Sequence, residues 1–127
     1  MNLLIVIPSY NHSKYLPELL KNLINYNVLI IDDGSHVPIS SNLIKNNINL
    51  VRNNKNRGKG YSIKKAANYA KNNKFTHILT IDSDMQHKTE DVKTFISNIK
   101  NNVLIYGYRS NYKNMPYLRI LSNNIAT

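Results

Sequence analysis

The sequence predicts an α/β fold with a doubly wound, mostly parallel sheet and helices on both faces. Three observations predict it. Five short apolar runs lack clean polar alternation, stretches with helical spacing separate most of them, and the unusual residues gather just after the runs. In open parallel sheets that position is where ligands sit, beyond the carboxyl ends of the strands.

The runs are "LLIVI" (3–7), "VLII" (28–31), "INLV" (48–51), "HILTI" (77–81) and "VLIY" (103–106). Short runs of Ile, Leu and Val fit strands covered on both faces. Leu16, Leu19, Leu20 and Leu23 recur at i, i+3, i+4 and i+7, as do Ile63, Ala66, Ala67 and Ala70, and then Val92, Phe95, Ile96 and Ile99. Each set makes one apolar stripe along a helix. The less regular "PISSNLIKN" (38–46) fills the remaining gap as a short helix. Repeated strand–helix–strand units close through right-handed crossovers. Near the end, "MPYLRILSNNIAT" begins another helix, with Pro116 suited to its first turn.

At 127 residues and 42% hydrophobic, the chain supports one core, so residues 1–127 read as a single domain. No apolar run approaches the roughly 18 residues of a membrane-spanning helix. Pro8 stops "LLIVI" too early for a secretory signal. The lack of cysteine removes disulfides and thiolate metal sites and agrees with a cytoplasmic protein. A net charge of +10 favours anionic partners: nucleic acid, an anionic membrane surface or phosphorylated small molecules. A usage bias toward Lys, Asn and Ile accounts for the same surplus equally well.

Only seven residues are acidic, and they cluster. Asp82 and Asp84 are one residue apart where a strand runs out, which puts both carboxylates on one side of an extended chain. Such a pair is neutralised most naturally by a hard divalent cation, Mg²⁺ or Mn²⁺, with substrate phosphates completing the shell. Gln86 and His87 follow as neutral ligands; the competing account has one Asp capping a helix and the other in solvent. Asp32 and Asp33 end the second run before Gly34 and Ser35. A carboxylate there can hold a ribose or a base, and Asp33 is favoured for that role, whereas an Asp-Gly turn explains the pair without a ligand. Glu90 and Asp91 behind Thr89 read as the first turn of a capped helix. "NRGKG" combines the basic Arg57 and Lys59 with two glycines but does not match a phosphate loop, so Gly58 and Gly60 also read as a tight helix entry. Arg109 follows Gly107 and suits bidentate binding of a diphosphate, or is simply an exposed loop residue.

Taken in order, "IPSYN", "IIDDGS", "NRGKG", "IDSDMQHKTED", "YGYR" and "MPYLRILSN" resemble the family 2 glycosyltransferases of the GT-A fold. Within that family the likeness is to the dolichol-phosphate mannose synthase and polyprenyl-phosphate glycosyltransferase branch, from residue 5 to about residue 123. The resemblance implies a Rossmann-like fold and transfer, inverting in outcome, of a sugar from a UDP- or GDP-linked donor to an acceptor such as a polyprenyl phosphate. Pro8, Tyr10, Asn11, Asp32, Asp33 and Asp82 would bind the nucleotide. Asp82 and Asp84, assisted by Gln86, would hold Mg²⁺ or Mn²⁺, and Lys59 and Arg109 would face the donor phosphates or the acceptor.

Two departures stand out. His12 follows "SYN" where many relatives carry Glu, and the family's domain usually continues well beyond this length. The chain therefore reads as the N-terminal donor-binding part, incomplete at its C-terminus and without an assignable general base. A lipid acceptor would bring it to the cytoplasmic face of an anionic membrane. The rival readings are a nucleotide-binding module without catalysis and, well behind, a basic nucleic-acid binder; no nucleic-acid partner is expected.

Overall fold

A computed structural model of the protein describes residues 1–84, 91–100 and 104–105. Strand β1 spans Leu3–Ser9, helix α1 Leu16–Asn22, β2 Asn27–Asp32, β3 Ile48–Arg52, helix α2 Lys59–Asn72, β4 His77–Thr80 and helix α3 Asp91–Ser97. The described strands form one parallel sheet in the order β3-β2-β1-β4. The sheet, α1, α2 and the site below all belong to a compact unit, Met1–Lys93; residues Thr94–Thr127 cluster separately.

The two inner strands explain the unalternating runs. Leu4 to Ile7 and Val28 to Ile31 are buried on both faces of the sheet. Leu4, Val6, Leu29 and Ile31 pack with Ala66 and Ala70 of α2, and Ile5, Ile7, Val28 and Ile30 face the other way and are equally covered. Each such aliphatic side chain contributes roughly 1.5–3 kcal/mol on burial. Alternation returns at the outer strand β4, where His77 and Leu79 are half-buried and Ile78 and Thr80 are exposed.

The chain steps from β1 to β2 to β3 in one direction, then crosses to the other side of β1 for β4. Because crossovers of this type are right-handed, the reversal puts α1 and α2 on opposite faces. It also opens a crevice between the carboxyl ends of β1 and β4, the topological switch point of the sheet.

Both helices follow their stripes with one correction. Leu16, Leu19 and Leu20 of α1 are buried, and so is Leu23 just beyond its end, with Pro17 and Glu18 in the first turn. In α2 the buried line is Ser62, Ala66 and Ala70, while Ile63 is half-buried and Ala67 is exposed. Small residues on that line let the helix lie close to β1 and β2, and Ser62 extends it toward the carboxyl edge. Hydrophobicity alone could not favour a serine over Ala67. The segment 38–46 holds only a 3-10 turn, Ser41–Leu43, capped by Ser40 Oγ accepting from Asn42 N at 3.3 Å. Asp91 opens α3 as an acidic first-turn residue, and Val92 is buried. Thr89 and Glu90 lie outside the described residues, as do Val103 and Tyr106 of the expected fifth strand, whose Leu104 and Ile105 belong to no regular element. The helix expected from Pro116 also lies outside them. No described helix is long and apolar enough to cross a membrane.

One glycine is required by geometry. Gly34 turns the chain after β2 at φ 74°, and a Cβ there would lie 2.7 Å from both Lys55 Cα and Asn56 N. The strand-end turn thus passes directly against the backbone of the β3–α2 loop. Gly34→Ala should lower unfolding free energy by about 1–3 kcal/mol, from positive-φ strain plus displacement of that loop. Urea denaturation against the parent protein checks this.

Candidate functional site at the strand switch point

A cleft of about 250 Å³ opens at the switch point. One wall comes from the end of β1, with Pro8, Tyr10 and His12, and the opposite wall follows β4, with Asp82, Ser83 and Asp84. Asp33, Lys59 and Ser62 complete the lining. Parallel pairing carries the walls there: Asp33 N donates to Ser9 O and Ile81 N to Val6 O, at 2.8 and 2.9 Å, extending the ladders one residue past β2 and β4.

Asp82 and Asp84 do converge on the cleft, but not for the reason that spacing suggests. β4 ends at Thr80, and Ser83 and Asp84 lie in a turn, so Ser83 faces the cleft along with its neighbours. A turn, not strand alternation, gathers the two carboxylates. Asp82 forms an ion pair with Lys59, the first residue of α2. That contact places Lys59 against the acidic wall. Gln86 and Arg109 lie outside the described residues. Among the described residues no group of three or more His, Cys, Asp or Glu side chains comes together as a complete metal cage. Two hard carboxylates on one wall nevertheless suit a cation whose remaining ligands are phosphate oxygens.

Asp32 and Asp33 take different parts. The Asp33 carboxylate lines the cleft and is 4% exposed. One oxygen accepts from Asn53 Nδ2 at 2.7 Å and Arg57 N at 3.0 Å, the other from Gly58 N at 2.8 Å. It therefore holds the entry of α2 while facing the cavity. Asp32, 1% exposed, is not among the residues that line the cleft and is held behind its wall. Its oxygens accept from Ser35 N at 2.9 Å, Ile39 N at 3.3 Å and the Arg52 guanidinium. Asn11 likewise supports the wall without lining it. At φ 55° it donates its N–H to Ser35 Oγ and accepts from His36 N, both at 2.9 Å, clasping the β1 and β2 loops together. That clasp brings His36 to Tyr10, ring centroids 6.1 Å apart.

Several residues here escaped sequence reading. Arg52 neutralises Asp32 and also donates to Ser35 O at 2.8 Å. Asn53 is buried, and its amide reaches Asp33 and, at 3.3 Å, Ser62 Oγ, while Lys65 Nζ donates to its Oδ1 at 2.8 Å. Their signal was position: both sit at the carboxyl end of "INLV", beside the carboxylates that end "VLII". Ser9 is buried, and its Oγ has no hydrogen-bond partner among the described residues.

The glycosyl transferase family 2 model matches residues 4–125. The chain belongs to glycosyl transferase family 2. Its parallel sheet and switch-point cleft are those of the family's Rossmann-like GT-A fold. Two uncharacterized proteins of Methanocaldococcus jannaschii are similar to it. One is 33% identical over 133 residues, covering 96% of this chain and 58% of that protein; the other is 30% identical over 132 residues, covering 94% and 53%. An undecaprenyl-phosphate 4-deoxy-4-formamido-L-arabinose transferase of Proteus mirabilis is 24% identical over 129 residues, 91% of this chain and 39% of that enzyme. The chain thus spans about half the length of the curated relatives it matches.

Burial raises the Asp32 pKa, but the hydrogen bonds from Ser35, Ile39 and Arg52 outweigh it and hold the carboxyl below its ordinary value. A group depressed in the folded state stabilises the fold above its unfolded pKa, about 3.9, and loses that contribution as pH falls through its folded value. Asp32→Asn should therefore cost about 2 kcal/mol at pH 7, because an amide nitrogen replaces an oxygen facing donors. The gap from the parent should close below about pH 4. Thermal unfolding of both proteins across pH 3 to 7 reads it directly.

Proposed function

We propose that the cleft binds the nucleotide diphosphate of a nucleotide-sugar donor and that the protein moves the sugar to a polyprenyl phosphate. One observation carries this reading: a family 2 chain brings Asp82 and Asp84 opposite Pro8, Tyr10 and Asp33 across the switch point. The arrangement separates the two ends of such a donor. Pro8 and the half-exposed Tyr10 offer apolar surface to a base, and Asp33 offers acceptor oxygens to a base or ribose. Across the cleft, Asp82 and Asp84 would hold Mg²⁺ or Mn²⁺ against the diphosphate, with Gln86 assisting and Lys59 and Arg109 on the phosphates or the acceptor. The chemistry supplied by the bound cation is charge neutralisation on the departing diphosphate.

Transfer with inversion needs an acceptor oxygen to attack the anomeric carbon from the face opposite the diphosphate. The new carbon–oxygen bond forms as the bond to the diphosphate breaks, and the nucleotide diphosphate leaves with that electron pair. A phosphate acceptor arrives with an anionic oxygen at neutral pH, since its second pKa is about 6. Such an acceptor needs no general base. The Proteus mirabilis relative, an undecaprenyl-phosphate 4-deoxy-4-formamido-L-arabinose transferase, supports the same acceptor class. A lipid acceptor would draw this basic chain to an anionic cytoplasmic membrane face.

Calorimetric titration with UDP and with GDP, each in Mn²⁺ and again in EDTA, tests the donor site. Binding of one nucleotide in Mn²⁺ and loss in EDTA is expected. Asp84→Asn should abolish the metal-dependent part with an unchanged circular dichroism spectrum, because it removes a ligand and relieves carboxylate repulsion. Equal binding with and without metal, or by the variant, would sink the metal assignment. Metal-dependent binding without donor turnover in the presence of polyprenyl phosphate would leave a nucleotide-binding module.

A further inference from the structure

A second cleft, of about 290 Å³, lies beside the first and has the opposite electrostatic character. Arg52, Lys55, Arg57 and Lys65 line it together with Asn53 and Tyr61, and no carboxylate does. We propose that this cleft binds a phosphate monoester dianion. The proposal does not rest on the donor reading.

The cations are held in place by groups that leave their charge available. Lys65 Nζ is 2.8 Å from Asn53 Oδ1 and 3.3 Å from Arg52 O, both neutral acceptors. The Arg57 guanidinium lies 4.4 Å from the centre of the Tyr61 ring, which orients it without neutralising it. Lys55 and Arg57 side chains form no hydrogen bond or ion pair with any other described residue. Asp32 offsets only Arg52. Three like charges therefore remain around one concavity floored by the buried amide of Asn53. Gathering them costs Coulomb energy that a bound dianion would reverse, with charge-assisted hydrogen bonds from Arg57 and the two lysines.

Shape and aromatic content select the ligand class. A nucleic-acid strand needs an extended basic groove with aromatic faces open to bases. Here the positive charge surrounds a pocket, and Arg57 occupies one face of Tyr61. A compact phosphate group fits that arrangement, whether it is carried by a soluble ester or by a lipid headgroup.

The test uses the chain as it is, in EDTA and low salt, so that metal-dependent binding in the first cleft makes no contribution. Inorganic phosphate is titrated by calorimetry, and vesicles of phosphatidylcholine with and without phosphatidic acid are co-sedimented. Phosphate binding that weakens by about tenfold or more in Lys55→Glu/Arg57→Glu is the expected result. Both side chains are exposed, so the substitutions should not disturb folding. Lys55→Gln/Arg57→Gln, which removes charge without reversing it, should fall between. Response to phosphate identifies a soluble ester site; response only to phosphatidic acid vesicles, lost in the same variants, identifies a lipid headgroup site. Asp84→Asn should keep its phosphate affinity, and the Lys55/Arg57 variants should keep metal-dependent nucleotide binding, which separates failure of one site from failure of the other. Absence of both responses, equal responses in parent and variants, or binding of a single-stranded oligonucleotide alone would overturn the proposal.

Discussion

The carboxyl edge of this sheet depends on two neighbouring rungs between β2 and β3. Asp32 sits opposite Arg52 in the register, and one residue later Asp33 meets Asn53. The first rung is an ion pair closed over by Ser35 and Ile39, and the second is an amide–carboxylate contact that also takes two backbone N–H groups from the start of α2. Buried carboxylates are tolerated only when each oxygen is satisfied, and here protein donors reach every oxygen of both. The turn at Gly34, the loop at 54–58 and the entry of α2 are consequences of that satisfaction.

The cleft inherits its walls from strand order. Periodicity can show that strands and helices alternate, and the first four apolar runs did so, with β1 and β2 reading as unalternating because both faces are covered. It cannot show that β4 lies beside β1, because side-chain spacing carries no information about neighbours across a sheet. The rule that ligands sit beyond strand ends pointed to one edge from sequence, and the reversal at β1 marks where along that edge the cleft opens.

Individual residues show where local reading stops. Asp82 and Asp84 stand out in the sequence because acids are scarce in the chain, and both line the cleft, although a turn and not a strand presents them. Asp32 and Asp33 look equivalent in "IIDDGS" and differ by one step of alternation, which sends one into a closed ion pair and leaves the other on the cavity. Ser62 was invisible to a hydrophobic stripe because its value lies in accepting from Asn53, a partner nine residues earlier. Arg52 and Asn53 carry no motif; only pairing across the sheet reveals their use.

Asn53 has one further consequence. Its Nδ2 is directed at the Asp33 carboxylate and its Oδ1 at the Lys65 ammonium, so the amide dipole has one permitted orientation. A single side chain therefore serves as a polarised partition, presenting hydrogen to the acidic compartment and oxygen to the basic one. A carboxylate in its place would repel Asp33, and an ammonium would repel Lys65. The neutral amide is what lets one side chain satisfy a carboxylate on one side and an ammonium on the other.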